Sequence, residues 1–394
     1  MIKRKKKNKQ NPFYDASLDK RHASAKRFKR FTLTSLIFSI AFLAFFLIDI
    51  IGKGTPAFKV TYLHVNVTYN EKTVDDSRFA VEKKYRKIIS RSWLRDLPNQ
   101  VRENPKLMNT TQTMWVLADD QVDQYLKGHH YKLKRKDKAL VDDMKAQGRI
   151  DTKFNSIFFL NGDSKIPENA GLFSAMIGSI LTLIITMAVA FPLGVLTAIY
   201  LEEFATDNKF TRFIEVNINN LAAIPSILFG LLGLAIFINL FGMPRSSPLV
   251  GGLTLALMTL PIIIVSSRAA LRAVPDSIRQ AGYGLGLTKI QVTKDHVLPL
   301  AFPGVLTGSI IGLAQAMGET APLIIIGMIA FIPDAPGSVM DAATVMPAQL
   351  FTWAGMPERM YIEKTAAGIM VLLTILISLN AIAIYLRKKF EVKW

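Results

Sequence analysis

Long runs of apolar residues alternate with short polar intervals along most of this chain. A helix needs about 20 predominantly apolar residues to cross a bilayer. About six runs reach that length, at residues 31–51, 172–200, 214–241, 249–271, 302–331 and 365–385. The pattern therefore predicts an all-α integral membrane protein with about six transmembrane helices.

Between the first and second runs, the pattern changes to one typical of a small α+β domain. Residues 58–69 alternate apolar and polar and are rich in β-branched and aromatic side chains, which predicts a strand. Residues 154–160 are predicted to form a second strand. The spacing of apolar residues predicts three helices, at 75–97, 119–126 and 139–147. We therefore expect an extramembrane α+β domain at residues 53–165, inserted after the first transmembrane helix.

The charge distribution predicts how the chain is oriented. The net charge is +18, and twelve Lys and Arg residues lie within residues 1–30, directly before the first apolar run. Arg387, Lys388 and Lys389 follow the last run. Basic residues beside transmembrane helices stay on the cytoplasmic side, so residues 1–30 are predicted to be a cytoplasmic tail. A first transmembrane helix at 31–52 would then place residues 53–165 outside, in the periplasm, with both termini inside. This placement favours a lipid bilayer as the partner of the basic residues and argues against nucleic acid.

Several chemistries are excluded by what the sequence lacks. The chain has no cysteine, which excludes disulfides, thiolate metal ligands and a cysteine nucleophile. It has no phosphate-binding loop of the form G-x-x-x-x-G-K-[ST]. The glycines between Gly282 and Gly286 neither follow a predicted strand nor open a βαβ unit. We expect no cofactor, no metal, no nucleotide site and no catalytic residue in this chain.

The polar interval at 273–298 is the first candidate site. Small residues at Ala281, Gly282, Gly284 and Gly286 permit another backbone to approach closely. Pro299 then stiffens entry into the next apolar run. From the residues alone, this interval is either a docking surface for another protein or an ordinary loop between helices.

The second candidate site is Gly318-Glu-Thr-Ala-Pro322, which lies inside an apolar run. A carboxylate within a membrane span is costly, so it calls for a pairing or functional explanation. Two interpretations of Glu319 stay open, a gating residue and a structural residue that hydrogen-bonds between helices. Arg268 and Arg272 lie four residues apart and so share one helix face. We interpret them as lipid-facing or loop-pairing anchors rather than substrate contacts.

A family resemblance connects these features. The pattern Gln280-Ala-Gly-x3-Gly286, followed by His296-Val-Leu-Pro299, resembles the "EAA" loop of binding-protein-dependent ABC-importer permeases. In that family the loop forms a coupling helix that inserts into a cleft of a cytoplasmic ATPase. The family's Glu, second Ala and usual Ile are replaced here by Gln280, Gly282 and His296. By this resemblance, the ATPase-coupling residues are Gln280, Ala281, Gly282, Gly286, Leu298 and Pro299.

Three further segments, at 224–230, 267–275 and 315–323, resemble the PstA-type permeases of phosphate importers. The resemblance implies the type I ABC-importer permease fold for residues 166–394, with five transmembrane helices and a coupling loop at 274–299. Many relatives carry Arg at the position of Gln315. The residues that the resemblance assigns to translocation or gating are Gln315, Gly318, Glu319, Thr320, Pro322, Pro225 and Ser226.

The same resemblance implies inorganic phosphate as the cargo and the bacterial inner membrane as the location. It implies four kinds of partner: a second homologous permease, two cytoplasmic ATPase subunits that bind ATP, a periplasmic phosphate-binding protein and the lipid bilayer. Two alternatives stay open. One is a permease for another oxyanion, such as molybdate or sulfate. The other is a membrane-anchored sensor that uses its external domain, although the tail at 387–394 is too short for an output domain.

Overall fold

A computed structural model describes residues 17–129, 131–329 and 331–390. Residues 1–16 of the predicted basic tail therefore lie outside the described residues. The chain divides into two compact units, Met1–Gly52 and Lys53–Trp394. Most of the described part of the first unit is one long helix, α1 (Leu18–Gly54). Its apolar portion matches the predicted first transmembrane helix.

The second unit begins with the predicted α+β segment, residues 53–165. Its three strands are β1 (Lys59–Tyr69), β2 (Thr110–Leu117) and β3 (Ile150–Phe154). They form an antiparallel sheet in the order β2-β1-β3, with Val65 opposite Met114 and Thr61 opposite Thr152. The helices are α2 (Glu71–Asp75), α3 (Arg91–Glu103), α4 (Asp120–Leu126), α5 (Arg135–Ala146) and α6 (Ile157–Leu160). Alternate residues of β1 face a core that includes Leu63, Val65 and Val67.

Two predictions within this segment are wrong. The predicted helix at 75–97 starts only at Arg91, because Ser90 caps the first turn through its hydroxyl oxygen, which accepts from the Ser92 and Trp93 amides. The apolar residues before it, Ile88 and Ile89, are buried in irregular structure. Residues 154–160 also do not form a strand, since β3 ends at Phe154 and α6 follows. Strand β2 was not predicted.

The remaining chain is helical. Its helices are α7 (Phe173–Ile199), α8 (Lys209–Ala222), α9 (Ser226–Gly233), α10 (Pro248–Arg272), α11 (Asp276–Gly284), α12 (Lys289–Gln291), α13 (Leu298–Gly318), α14 (Ala321–Ile325), α15 (Met346–Ala354) and α16 (Arg359–Phe390). Small residues let the long helices approach closely, as in membrane bundles. A Cβ at Gly252 of α10 would lie 2.5 Å from the Ile185 Cβ of α7, and one at Gly308 of α13 would lie 1.9 Å from the Ser266 Oγ.

Among the described residues, five helices are long and apolar enough to cross a membrane, or six if a bent pair counts as one span. The bent pair joins α8 to α9 and its continuation through Leu240, with an angle of 104° at the break. The prediction of about six transmembrane helices is thus confirmed, but two predicted runs are not continuous helices. The run at 214–241 breaks before Pro225. The run at 302–331 stops being helical at Gly318, and its continuous helix instead begins upstream at Lys289.

Buried polar contacts join the α+β segment, and the connection that follows it, to α15 and to the start of α16. The Trp353 indole Nε1 donates to the Asp163 carboxylate at 2.8 Å, and the Lys364 Nζ donates to the Ala170 carbonyl at 2.6 Å. Glu363 accepts from Lys127 and contacts the His129 ring. Burial raises the pKa of Asp163, and the Trp353 N–H opposes that shift. The α+β segment is therefore packed onto the helical core through groups that need each other's charge or hydrogen bonds.

We predict that Trp353→Phe lowers the free energy of unfolding, because it leaves the buried Asp163 carboxylate without its indole donor. The Asp163 Oδ1 keeps the Ser164 backbone amide as a donor, and the loss of one hydrogen bond to a charged group costs about 1.5–3 kcal/mol. Thermal unfolding of the detergent-solubilised chain measures the change. Trp115→Phe is the matched control, since Trp115 lies on β2 with 36 % of its surface exposed. Equal shifts in the two variants would contradict the prediction.

Candidate functional site

The predicted coupling loop is a helix followed by a tight turn. Helix α11 starts after Pro275 and ends at Gly284. Gly286 has a φ of +82°, a left-handed conformation that favours glycine, and its amide donates to the Tyr283 carbonyl. The Leu287 amide returns to the Gly282 carbonyl at 3.1 Å. Gly286 is therefore the residue that lets the chain reverse after α11.

Gly282 faces inward, where it lets α11 pack against the next helix. A Cβ at this position would lie 2.7 Å from the Val292 Cγ2. Val292 belongs to a buried cluster with Leu271, Val274 and Val297. An alanine here would need a shift of Val292. Gly282 thus permits a closer helix contact than alanine would.

The other face of α11 is open to its surroundings. Gln280 and Ala281 are exposed, as is the Tyr283 ring. Leu285, at the end of the helix, has 81 % of its surface exposed, and Ile290 has 66 %. Large apolar side chains this exposed at the end of a polar loop indicate a contact surface. Leu285 and Ile290 were not among the predicted coupling residues.

Leu298 and Pro299 lie apart from this exposed face, at the start of α13. Leu298 is half-buried and Pro299 is exposed. The turn before them, Val292–Val297, is a π-helix. Pro299 has no N–H to donate, and an irregular turn at such a position is a common form of helix distortion. The six predicted coupling residues are therefore divided among an outer face, an inner contact, a turn and a helix start.

A buried ion pair fixes the orientation of α11. Arg279 Nη2 lies 2.7 Å from the Glu203 Oε1, and the same guanidinium donates to the carbonyls of Val274 and Leu271. The Glu203 side chain is 4 % exposed and the Arg279 side chain 15 %. The bond to Glu203 raises the pKa of Arg279 above its ordinary value. Sequence reasoning missed Glu203, although a carboxylate at the end of an apolar run signals the need for a cation.

Arg268 and Arg272 are loop-pairing anchors, as predicted. Arg272 Nε lies 2.7 Å from the Glu202 Oε1, and Arg268 Nε lies 3.3 Å from the Glu202 Oε2. Arg268 also contacts Glu215 on α8. Acidic residues after α7 and on α8 therefore bind arginines of α10, so that α7, α8, α10 and α11 are linked by ion pairs at one end of the core.

The second candidate site is a break between two helices. Helix α13 ends at Gly318, Glu319 is extended with a φ of −76° and a ψ of 128°, and α14 starts at Ala321. Pro322 falls in the first turn of α14, where its missing N–H costs no helical hydrogen bond. Gln315 and Gly318 are exposed, while Glu319 and Thr320 are half-buried.

In the structure, this break lies next to the break between α8 and α9. Helix α14 packs on α9, and a Cβ at Gly230 would lie 2.7 Å from the Pro322 Cα. Helix α9 begins at Ser226, directly after Pro225, which is exposed. The two predicted pathway motifs therefore lie on two short helices in direct contact.

Glu319 has no partner within the part of the chain that the structure describes. Its amide donates to the Ala316 carbonyl, but its carboxylate makes neither a hydrogen bond nor an ion pair there. This observation argues against a structural hydrogen bond to a helix of the same chain.

Comparison with known proteins gives matches to two families and to solved structures. The family described as "Binding-protein-dependent transport system inner membrane component" matches residues 190–392, just over half of the chain. A domain of unknown function (DUF3333) matches residues 15–85 and 76–134. Among solved structures, an inward-facing methionine ABC transporter (MetNI) gives a TM-score of 0.42 at 16 % identity, covering 56 % of this chain and 95 % of that one.

Three curated relatives show the range of similarity. A probable ABC transporter permease (YqgI) of Bacillus subtilis is 33 % identical over 42 % of this chain and 56 % of its own length. The phosphate transport system permease protein PstA of Mycobacterium leprae is 34 % identical over 41 % of this chain and 53 % of its own. PstA of Yersinia pestis is 30 % identical over 56 % of this chain and 74 % of its own. The chain spans about half the length of the first two.

The family match begins within α7 and includes both candidate sites. It covers the exposed helix α11, its anchor Glu203 and the two helix breaks. The chain therefore belongs to the family of binding-protein-dependent transport system inner membrane components.

Proposed function

We propose that the chain is a permease subunit of an ATP-binding-cassette importer for inorganic phosphate. It forms the pathway with a second homologous permease, two cytoplasmic ATPase subunits drive it, and a periplasmic phosphate-binding protein delivers the anion. It lies in the bacterial inner membrane with both termini in the cytoplasm and residues 53–165 in the periplasm. The chain itself hydrolyses no ATP. The observation that carries this proposal is an exposed helix, α11, whose orientation is fixed by the buried Arg279–Glu203 pair.

The anchoring of α11 supports a coupling role. An ATPase that binds the face of Gln280, Tyr283 and Leu285 would move α11 as a rigid body, because Arg279 ties it to Glu203 after α7. The neighbouring pairs of Glu202 with Arg268 and Arg272 connect the same end to α10. A displacement of α11 would therefore move several helices together. In a loosely held loop, the same displacement would stay local.

The unpaired carboxylate of Glu319 supports a pathway shared with a second subunit. An ionised carboxylate 4 Å from a phosphate charge would repel it by about 4 kcal/mol at an effective dielectric constant near 20. Glu319 is therefore unsuited to bind the anion directly. A cation of the second permease would neutralise it and stabilise one state of the gate. Gln315 and Thr320 would offer hydrogen bonds to the anion in place of the arginine that many relatives carry.

The phosphate assignment rests on the relatives named as phosphate permeases. Molybdate and sulfate permeases remain the alternative within the same mechanism, and a membrane-anchored sensor is the alternative from another class.

We expect labelled phosphate to enter proteoliposomes that contain both permeases and the ATPases, with the binding protein and ATP supplied. Uptake that continues without the ATPases would contradict the proposed coupling role of α11. Uptake that a large excess of sulfate or molybdate abolishes would redirect the assignment to that anion.

We predict that Arg279→Gln strongly reduces ATP-driven uptake. The substitution leaves the buried Glu203 carboxylate without its cation, which costs about 3–5 kcal/mol, so α11 loses its fixed orientation. Uptake should fall about ten-fold or more. Arg212→Gln is the matched control, because the Arg212 side chain is 74 % exposed and pairs with the exposed Asp207 outside this linkage. Equal uptake by the two variants, at equal membrane levels, would refute the anchor.

We also predict that Glu319→Gln changes the rate of transport. The variant keeps the size of the side chain and removes its charge, so a gate that depends on an intersubunit ion pair should lose one of its states. ATP-driven uptake at equal membrane levels provides the test, with the exposed Glu103→Gln as control. A rate identical to that of the unmodified protein would reduce Glu319 to a packing role.

A further inference from the structure

The α+β segment carries a groove with a strong positive charge. Residues 82–95 contain six Lys or Arg and one acidic residue, Glu82. Four arginines line one groove, which we call the arginine groove: Arg78, Arg86, Arg91 and Arg95. The groove holds about 770 Å³ of space, open to solvent, and Asp76 is the one acidic residue in its lining. Four guanidinium groups against one carboxylate leave the lining with a net charge of three.

Two of these arginines are held in place. Arg78 binds Asp76 through two nitrogens, with Nη2 at 2.7 Å from Oδ2 and Nε at 2.9 Å from Oδ1. These bonds lower the pKa of Asp76, so that its charge stays present. Arg86 donates to the Val81 carbonyl at 3.3 Å and stacks 4.9 Å from the centre of the Phe79 ring. Fixed guanidinium groups lose little side-chain entropy when an anion binds.

The other two arginines have no partner among the residues that the structure describes. Arg91 and Arg95 lie one turn apart on α3, and within the described part of the chain neither makes a hydrogen bond or an ion pair. Like charges at this spacing destabilise a helix. Helix α3 nevertheless stays fixed, because Leu94 and Leu97 are buried beneath it and Ser90 caps its start. The helix therefore holds two uncompensated positive charges at the groove.

A second, polar groove lies beside the first. Arg95 lines both, and the second is lined further by Ser92, Asn99, Asn161, Ser164 and Asn169. Asp96 also lines it, and its oxygens accept from the side-chain amides of Asn99 and Gln100 at 3.3 and 3.1 Å. The neighbouring Gly162 touches the Pro333 carbonyl, in the segment that precedes α15. The arginine groove thus shares Arg95 with a hydrogen-bonding surface near the end of the core.

We propose that the arginine groove is a binding site for inorganic phosphate on the outer side of this subunit. Guanidinium groups match the geometry of phosphate oxygens with paired N–H donors, and such charge-assisted bonds are strong. A concentrated positive field also raises the local concentration of an anion. The second groove then leads the anion from Arg95 toward the mouth of the core. This inference rests on the proposed function for the identity of the anion.

Equilibrium binding of labelled phosphate to the full chain, in nanodiscs of neutral lipid and without ATPases, tests the site directly. We expect the double variant Arg91→Gln, Arg95→Gln to bind phosphate about ten-fold or more weakly. The matched control is Arg135→Gln, Lys136→Gln, which removes the same charge from an exposed part of α5 in the same segment. Unchanged binding in the first variant, or an equal loss in the control, would overturn the proposal.

Two further arms separate this site from other sources of phosphate groups and from the proposed function. Vesicles containing phosphatidylglycerol test headgroup binding, and dependence on Arg91 and Arg95 for vesicles but not for free phosphate would overturn the proposal. In the complete transporter, we expect the double variant to raise the phosphate concentration for half-maximal uptake without lowering the maximal rate. Failure of the proposed function would be recognised separately, as an unmodified transporter that does not take up phosphate. A fall in the maximal rate alone would contradict the external site.

Discussion

The ion pair between Arg279 and Glu203 is the contact on which the arrangement of the candidate coupling end depends. Both side chains are largely buried, so either charge alone would be costly. The same guanidinium also satisfies two carbonyls at the end of α10. One residue thereby joins the end of α7, the end of α10 and the start of α11. The exposed apolar face of α11 has a defined direction only because this pair exists.

At the opposite end of the core, buried charged groups also need partners, and there the partners come from the α+β segment. There Lys364 and Glu363 of α16 and Trp353 of α15 find partners in the α+β segment and its connection to α7. This segment is therefore packed on the core through complementary polar groups. Its own surface keeps an excess of positive charge in the arginine groove. The charged groups with a structural role are thus buried and paired, whereas Arg91 and Arg95 are unpaired among the described residues and available to a ligand.

Sequence reasoning succeeded where a local pattern decides the structure. Apolar runs located the membrane helices, and the spacing of apolar residues at 119–126 and 139–147 predicted the two helices α4 and α5. It failed where distant contacts decide. Ile88 and Ile89 have helical spacing with their neighbours, yet the sheet buries them in irregular structure. The end of α13 could not be predicted from the apolar run at 302–331. Apolar residues indicate that a segment is buried in lipid or protein, but they do not show whether its helix is continuous.

By itself, the sequence determined the set of about six membrane helices and the presence of the small α+β segment, and it predicted a coupling motif and a costly carboxylate at position 319. Each of these depends on neighbouring residues or on the transfer of a side chain out of water. The tertiary structure alone decided that Glu203 pairs with Arg279 and that the break at Pro225 lies beside the one at Pro322. It also gathered Arg78, Arg86, Arg91 and Arg95 around one groove. Such groupings arise from long-range packing, which no local pattern encodes.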